Sequence, residues 1–239
     1  MSADELFLAA LDTLFLTNEI GAIVESGTYV GSGSSTMLAK SIIKSGKTIP
    51  AFITIEVDKS FYKKAVRNLA KYKFITPIWG LSISTAEAKA FIENDEAILH
   101  HEKYPDIFID TLDEPASFYL NEVNGQLSRV GERSFFRKIK NLISPSNKTS
   151  FEENVFERII PPIKNVVPLF LLDSAGGLGY LEFQKVKTMM DGNTHFLILD
   201  DIHHLKHFRS YRDVSEDSNY QIIAKNLENG WLIAKYEKQ

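Results

Sequence analysis

Five carboxylates stand where apolar runs of the chain stop. Glu25 follows Ala22-Ile23-Val24, Glu56 closes the run that begins at Ala51, Asp173 closes the run from Val166, and the adjacent Asp200 and Asp201 follow His195 to Leu199. Acids that four strands deliver to one edge of a sheet repel one another unless a cation or a bound amine offsets them. Asp173, Asp200 and Asp201 together offer the oxygen ligands that a hard cation such as Mg²⁺ takes. Glu56 suits different chemistry, because a carboxylate at the end of a second strand can accept both hydroxyl protons of a ribose. The competing role for Asp200 or Asp201 is to cap the helix that follows, and Asp58 is read as a cap in the same way.

Two further groups carry chemistry. Between Glu25 and the next apolar segment lies a turn rich in glycine and hydroxyl residues, with Gly27, Gly31 and Gly33 among Ser26, Thr28, Tyr29, Ser34, Ser35 and Thr36. Glycines without a Cβ let backbone approach a ligand closely, and amides at the start of the following helix favour a polar or anionic group. Directly after the acid pair come His203, His204 and His207. Histidine titrates near neutral pH and can take a proton from an acceptor hydroxyl, so His203 and His204 are candidate bases, with Asp173 beside them. His203 and His207 also have the spacing of a metal pair on one helix face, but no third ligand completes a zinc motif.

The glycine turn lacks the G-x-G-x-x-G spacing of a dinucleotide site. Instead Glu25-x-Gly27-Thr28-Tyr29-x-Gly31, followed by Ser35-Thr36, resembles the first motif of class I S-adenosylmethionine (SAM) methyltransferases, in particular the macrocin O-methyltransferase branch. The resemblance implies that Glu25, Ser26, Gly27, Thr28, Tyr29, Gly31, Ser34 and Ser35 face the methionine part of SAM, and that Gly80, Leu81 and Ser82 lie by its adenine. Glu56 would hold the ribose and Asp173 would border the cofactor. It also implies a metal at Asp173, Asp200 and Asp201 that holds two acceptor oxygens.

These residues need strands and helices to position them. Asp4 caps a helix running to Leu16, whose apolar residues recur at steps of three and four. Strands follow over Ala22–Glu25, Ala51–Val57 and Phe74–Ile78, separated by the helix after the glycine turn and by a helix that Asp58 caps. Ser84 and Glu87 have capping-box spacing for a further helix. From residue 100 to 168 the alternation stops, and this stretch reads as an insertion serving as a lid, cap or oligomerisation surface. Within it, Tyr104–Asp110 looks like a strand ending in acid, Arg129–Lys140 is basic and aromatic, and Ser144–Asn147 is loop chemistry. A short helix from Asn154 should stop at Pro161-Pro162. Asp110 and Asp173 compete to be the acid of the fourth core strand. One crossover helix fits between Asp173 and Asp200, which favours Asp173. A helix from His203 to Val214 and a hairpin about Asn229-Gly230 complete the chain. The expected fold is a single α/β domain over residues 1–239: a Rossmann-like, doubly wound, mostly parallel sheet with a C-terminal antiparallel hairpin and a large insertion before the fourth core strand.

Composition narrows the function classes. With 27 basic and 31 acidic residues among 239, the chain has no general attraction for nucleic acid or membrane. The absence of cysteine excludes disulfides, thiolate metal sites and a cysteine nucleophile. No apolar run reaches membrane length and no leader is evident, so a cytoplasmic location is expected. The resulting expectation is SAM-dependent O-methylation of a small hydroxylated acceptor, a sugar or phenol, assisted by Mg²⁺, with a second copy of the chain as a further partner. A non-catalytic SAM- or nucleoside-binding module and a nucleotide-dependent oxidoreductase are the alternatives.

Overall fold

The computed structural model describes residues 4–124, 150–174 and 176–239. Seven strands form one sheet: β1 (Ala22–Ser26), β2 (Ala51–Glu56), β3 (Ile75–Trp79), β4 (Pro168–Leu172), β5 (His195–Leu199), β6 (Tyr220–Asn226) and β7 (Trp231–Tyr236). Their order is β3-β2-β1-β4-β5-β7-β6, and β1 to β5 run parallel. β7 lies antiparallel between β5 and β6. The chain winds outward from β1 to β3 and then returns to lay β4 on the other side of β1. That reversal opens a crevice beyond the carboxyl ends of β1 and β4.

Helices cover both faces, as a parallel sheet requires. The alternation of strand side chains sorts the core in two. Ile23, Phe52, Leu169, Leu171, Phe196 and Ile198 pack with Phe7, Leu11, Leu14 and Phe15 of α1 (Glu5–Thr17), Leu38 and Ile42 of α2 (Ser34–Ser45), and Ala65 and Leu69 of α3 (Lys59–Leu69). Val24, Phe170, Leu172, Leu197 and Leu199 take the opposite face. There they meet α7 (Val155–Ile163), α8 (Gly179–Met189) and α9 (Phe208–Glu216). A third apolar cluster caps the carboxyl edge, built from α4 (Thr85–Asn94), α5 (Glu96–Leu99) and a helix over 115–124, here α6.

Local chemistry explains the boundaries. The Asp4 side chain accepts from the Phe7 amide, Asp58 accepts from the Ser60 and Phe61 amides, and Ser84 with Glu87 forms a reciprocal capping box. Three expectations are corrected. Pro161 and Pro162 do not stop α7, which continues to Ile163. Both prolines sit on its exposed side, as do Glu157 and Arg158, the residues whose carbonyls lose their helical donors. The last helix begins at Phe208 rather than His203, because the amides of Ile202 and Leu205 are taken by the carbonyls of Gly230 and Phe108. Tyr104–Asp110 is not a strand: within it Phe108 makes an isolated bridge to His204, and β4 ends just before Asp173.

The region from 100 to 168 also holds core structure. Val155, Phe156, Ile159 and Ile160 of α7 are buried against β4, so α7 serves as a helix of the sheet. Arg129–Lys140 and Ser144–Asn147 lie outside the described residues.

Arg209 on α9 ties the cap to the core. Its guanidinium donates to both carboxylate oxygens of Asp95, at 2.7 and 2.9 Å, and both residues are buried. Asp95 also caps α5 through the Ile98 amide. Removing one partner of a buried pair strands the other charge. Asp95→Ala should therefore cost about 3–5 kcal/mol in chemical denaturation, most of it from the uncompensated Arg209.

Candidate functional site at the carboxyl edge of the sheet

The turn after β1 is pinned to its neighbours on both sides. The amides of Gly27 and Thr28 both donate to the Ile55 carbonyl of β2, and the Asp173 amide donates to the Ser26 carbonyl. Gly27 has φ +85°, and a Cβ there would lie 2.0 Å from the Asp173 carbonyl oxygen. Only glycine allows β1 and the end of β4 to approach so closely.

Glu56 lies at the end of β2, buried. Its Oε2 accepts from the Tyr29 amide and its Oε1 from the Asp58 amide, both at 2.7 Å. Each oxygen keeps a further lone pair, the capacity that a diol would use. Burial pushes its pKa up to about 7, against the opposing pull of the two amides. Beyond β3, Gly80 donates to the Glu56 carbonyl, and its own Cβ would fall 2.3 Å from the Glu152 carbonyl oxygen. Gly80 to Ser82 is thus zipped to the chain entering α7: the Leu81 amide donates to the Glu152 carbonyl and the Phe156 amide to the Ser82 carbonyl.

Glu182 is a cavity-lining residue that the sequence reading missed. It projects from α8 and is buried, accepting the Ser26 hydroxyl at 2.8 Å and the Ser82 hydroxyl. One carboxyl group therefore ties the ends of β1 and β3 together across the crevice. Burial raises its pKa, and the serine hydroxyls oppose that rise. A signal was present: Gly179, Glu182, Phe183 and Val186 recur at three- and four-residue steps, which puts Glu182 on the apolar face of its helix.

These elements enclose a cavity of about 480 Å³. Of the residues expected to bind a cofactor, Ser26, Gly27, Tyr29, Glu56, Gly80, Leu81, Ser82 and Asp173 line it. Glu25, Thr28, Gly31, Ser34 and Ser35 do not. Glu25 points to the other face of β1, fully buried, where its oxygens accept from Ser34 at 2.6 Å and Ser35 at 2.5 Å. It fastens the first turn of α2 to the strand, and Thr28 is bonded to Thr54 beneath it. Gly31, at φ +73°, packs against Leu69. The cap adds Ile92, Tyr119, Glu122, Val123 and Leu178 to the lining, so one wall is mostly apolar.

Asp173, Asp200 and Asp201 do come together, with one oxygen from each within 4.8 Å of the others. A cation is already there. The ammonium of Lys206 lies 2.8 Å from Asp173 Oδ1 and 2.8 Å from Asp201 Oδ2, and its side chain is only 7% exposed. Burial alone would raise the Asp201 pKa, but Lys206 holds it below the usual carboxylate range. Asp200 is pushed up to about 7 by burial and by its two acidic neighbours. With Lys206 bridging two of the three donors, the site as it stands does not fit a divalent ion.

The candidate bases are placed elsewhere. His203 is exposed, with Nε2 2.6 Å from the Leu227 carbonyl oxygen of the hairpin. His204 is buried, its Nδ1 accepting from the Lys206 amide and its Nε2 3.3 Å from Asp110 Oδ2. Burial lowers its pKa despite Asp110. Neither lines the cavity. His207 starts α9 with its ring buried between Leu172 and Ser210, so it shares no metal face with His203.

The sheet order, with β7 antiparallel between β5 and β6, decides the fold type. It is a Rossmann-like, doubly wound, mostly parallel sheet with a C-terminal antiparallel hairpin. No family model and no curated protein matches the chain. Among solved structures, it is similar to an O-methyltransferase from Bacillus cereus in complex with SAH, at 10% identity and a TM-score of 0.47, covering 98% of this chain and 82% of that one. It is also similar to the O-methyltransferase NovP, at 13% identity and TM-score 0.44, covering 97% and 80%. An rRNA methylase from Streptococcus thermophilus is similar at 8% identity and TM-score 0.40, covering the whole of both chains. These likenesses are distant. Among the described residues, no helix is long and apolar enough to cross a membrane.

The Glu56 shift has a consequence for stability. The group moves from 4.5 in the unfolded chain to about 7 in the fold, so the folded state holds its proton more tightly. Its contribution to stability is greatest below pH 4.5 and declines as pH rises through 7. Glu56→Gln should flatten part of that decline and raise the melting temperature relative to wild type at about pH 8. Asp200, which titrates in the same window, leaves a residual slope.

Proposed function

We propose that the protein is a SAM-dependent methyltransferase acting on a small hydroxylated acceptor. The observation that carries this reading is the convergence at one crevice of Glu56, the glycine turn after β1 and the Gly80–Ser82 turn after β3, around a cavity of about 480 Å³. That size suits a nucleoside-containing ligand with room for a second small molecule. Glu56 would hold the ribose hydroxyls on the lone pairs that Tyr29 and Asp58 leave free. Ser26 and Gly27 would border the amino-acid portion, while Leu81 and Ser82 would border the base. SAM, when bound, supplies a methyl group on a positively charged sulfur, open to in-line attack by an acceptor oxygen.

The protein's task in such a reaction is mainly orientation and exclusion of water. Ile92, Val123, Leu178 and the ring of Tyr119 form a wall that favours an aromatic hydroxyl, a phenol, over a sugar. α6 brings Tyr119, Glu122 and Val123 over the crevice, which supports a cap role for this part of the 100–168 region. The absence of both candidate histidines from the cavity favours, as the second reading, a module that binds SAM or a nucleoside without transferring a methyl group.

Calorimetric titration with SAM, with its demethylated product and with NAD tests the reading. Binding of SAM and product without NAD is expected, and Glu56→Ala should weaken SAM at least about tenfold, the loss of charge-assisted hydrogen bonds to the ribose. No binding of SAM by the wild type would end the proposal. Binding of SAM without transfer to any phenol or sugar would favour the second reading.

A further inference from the structure

Three acidic groups that would suit a hard cation lie beside the cavity, yet a lysine is folded into them. Lys206 reaches this position because the chain after β5 turns back at Asp201, whose backbone is left-handed at φ 54°, and continues through an irregular segment before α9. Leu205 on one side of it is buried in the cap, and His207 on the other is buried under β4. The side chain is therefore held between two anchored neighbours. The carboxylates that receive it come from the ends of two strands, Asp173 after β4 and Asp201 after β5.

We infer that Lys206 is the built-in cation of this triad: its ammonium occupies the place a divalent ion would take, and the wild-type protein does not bind one there. The geometry supports this in three ways. The two contacts are equal, at 2.8 Å each, so the ammonium bridges the acids rather than pairing with one. The lysine is nearly inaccessible, and a buried ammonium left without its carboxylates would be strongly penalised, so it does not swing out to admit a metal at little cost. The ammonium also offsets one of the negative charges of the cluster, which reduces the electrostatic demand for a metal.

The position has a chemical consequence, which rests on the methyltransferase reading. Lys206 lines the cavity, and the two acids use two of its three N–H donors. The remaining donor is available to an oxygen of the ligand. An acceptor oxygen placed there would be held and oriented by this donor. Burial alone would lower the lysine pKa, but its two carboxylates raise it, so it donates and does not serve as the base.

The test is a Mn²⁺ titration of chelator-treated protein without cofactor or acceptor, so its outcome is independent of whether SAM binds. Wild type should show no saturable binding in the micromolar range. Lys206→Met, which frees the three acids, should gain saturable binding, and Lys206→Met/Asp200→Asn should lose it again. Circular dichroism checks that each variant is folded. Lys206→Arg, which keeps the charge, should remain silent toward Mn²⁺ and covers the case in which the Met variant does not fold. Micromolar Mn²⁺ binding by wild type that Asp200→Asn abolishes would overturn the proposal. So would a folded Lys206→Met that binds no Mn²⁺, or a Lys206→Arg that binds it.

Discussion

The constraint on which this structure depends is the burial of carboxylates along one edge of a parallel sheet. Glu25, Glu56, Glu182 and Asp200 are all less than a tenth exposed, and Asp173 stands beside them. An acid withdrawn from water must be hydrogen-bonded, neutralised or protonated. The fold uses three devices. Serine hydroxyls serve Glu25 and Glu182, backbone amides serve Glu56, and an ammonium serves Asp173 and Asp201. Asp200, buried beside two other acids, stays shifted toward the protonated form despite Lys206.

These devices also shape the crevice. Glu182 draws Ser26 and Ser82 together across it, and the Gly27 contact with the Asp173 carbonyl holds the mouth between β1 and β4. Substitution at Gly27 would meet two obstacles at once, a positive φ and a backbone oxygen within bond-like range of the new Cβ. The polar floor is therefore rigid and made of strand ends. The wall opposite is apolar and comes from the cap, where Arg209 and Asp95 secure α9 to α5. A stiff polar floor facing an apolar cap suits recognition of a nucleoside-containing ligand and an apolar acceptor in one space.

The charge arrangement separates this site from a simple acidic metal cage. Asp173, Asp200 and Asp201 have the residue types and the proximity for a hard cation, but proximity does not specify which cation. A lysine supplied by the same chain satisfies the same electrostatic requirement. It does so with directional N–H donors and without exchange with solvent.

By itself the sequence determined the alternation of strands and helices, the strand-end acids, the caps at Asp4, Asp58 and Ser84, and the terminal hairpin. Those features are written in local period and turn chemistry, which act between residues a few positions apart. Choosing Asp173 over Asp110 was also within reach, since a crossover helix needs a definite length of chain. What only the tertiary structure decided depended on residues far apart in sequence. Glu25 and Ser26 are neighbours, yet the strand pleat sends one under α2 and the other to the cavity. The histidines follow the acid pair directly, yet a left-handed turn at Asp201 and bonds to Gly230 and Phe108 carry them away and bring in Lys206 instead. Glu182 acquires its role from two serines on strands that no spacing rule connects to α8. A side chain's partner across the fold is set by the summed packing of all the elements, and that sum is not contained in any local window of the chain.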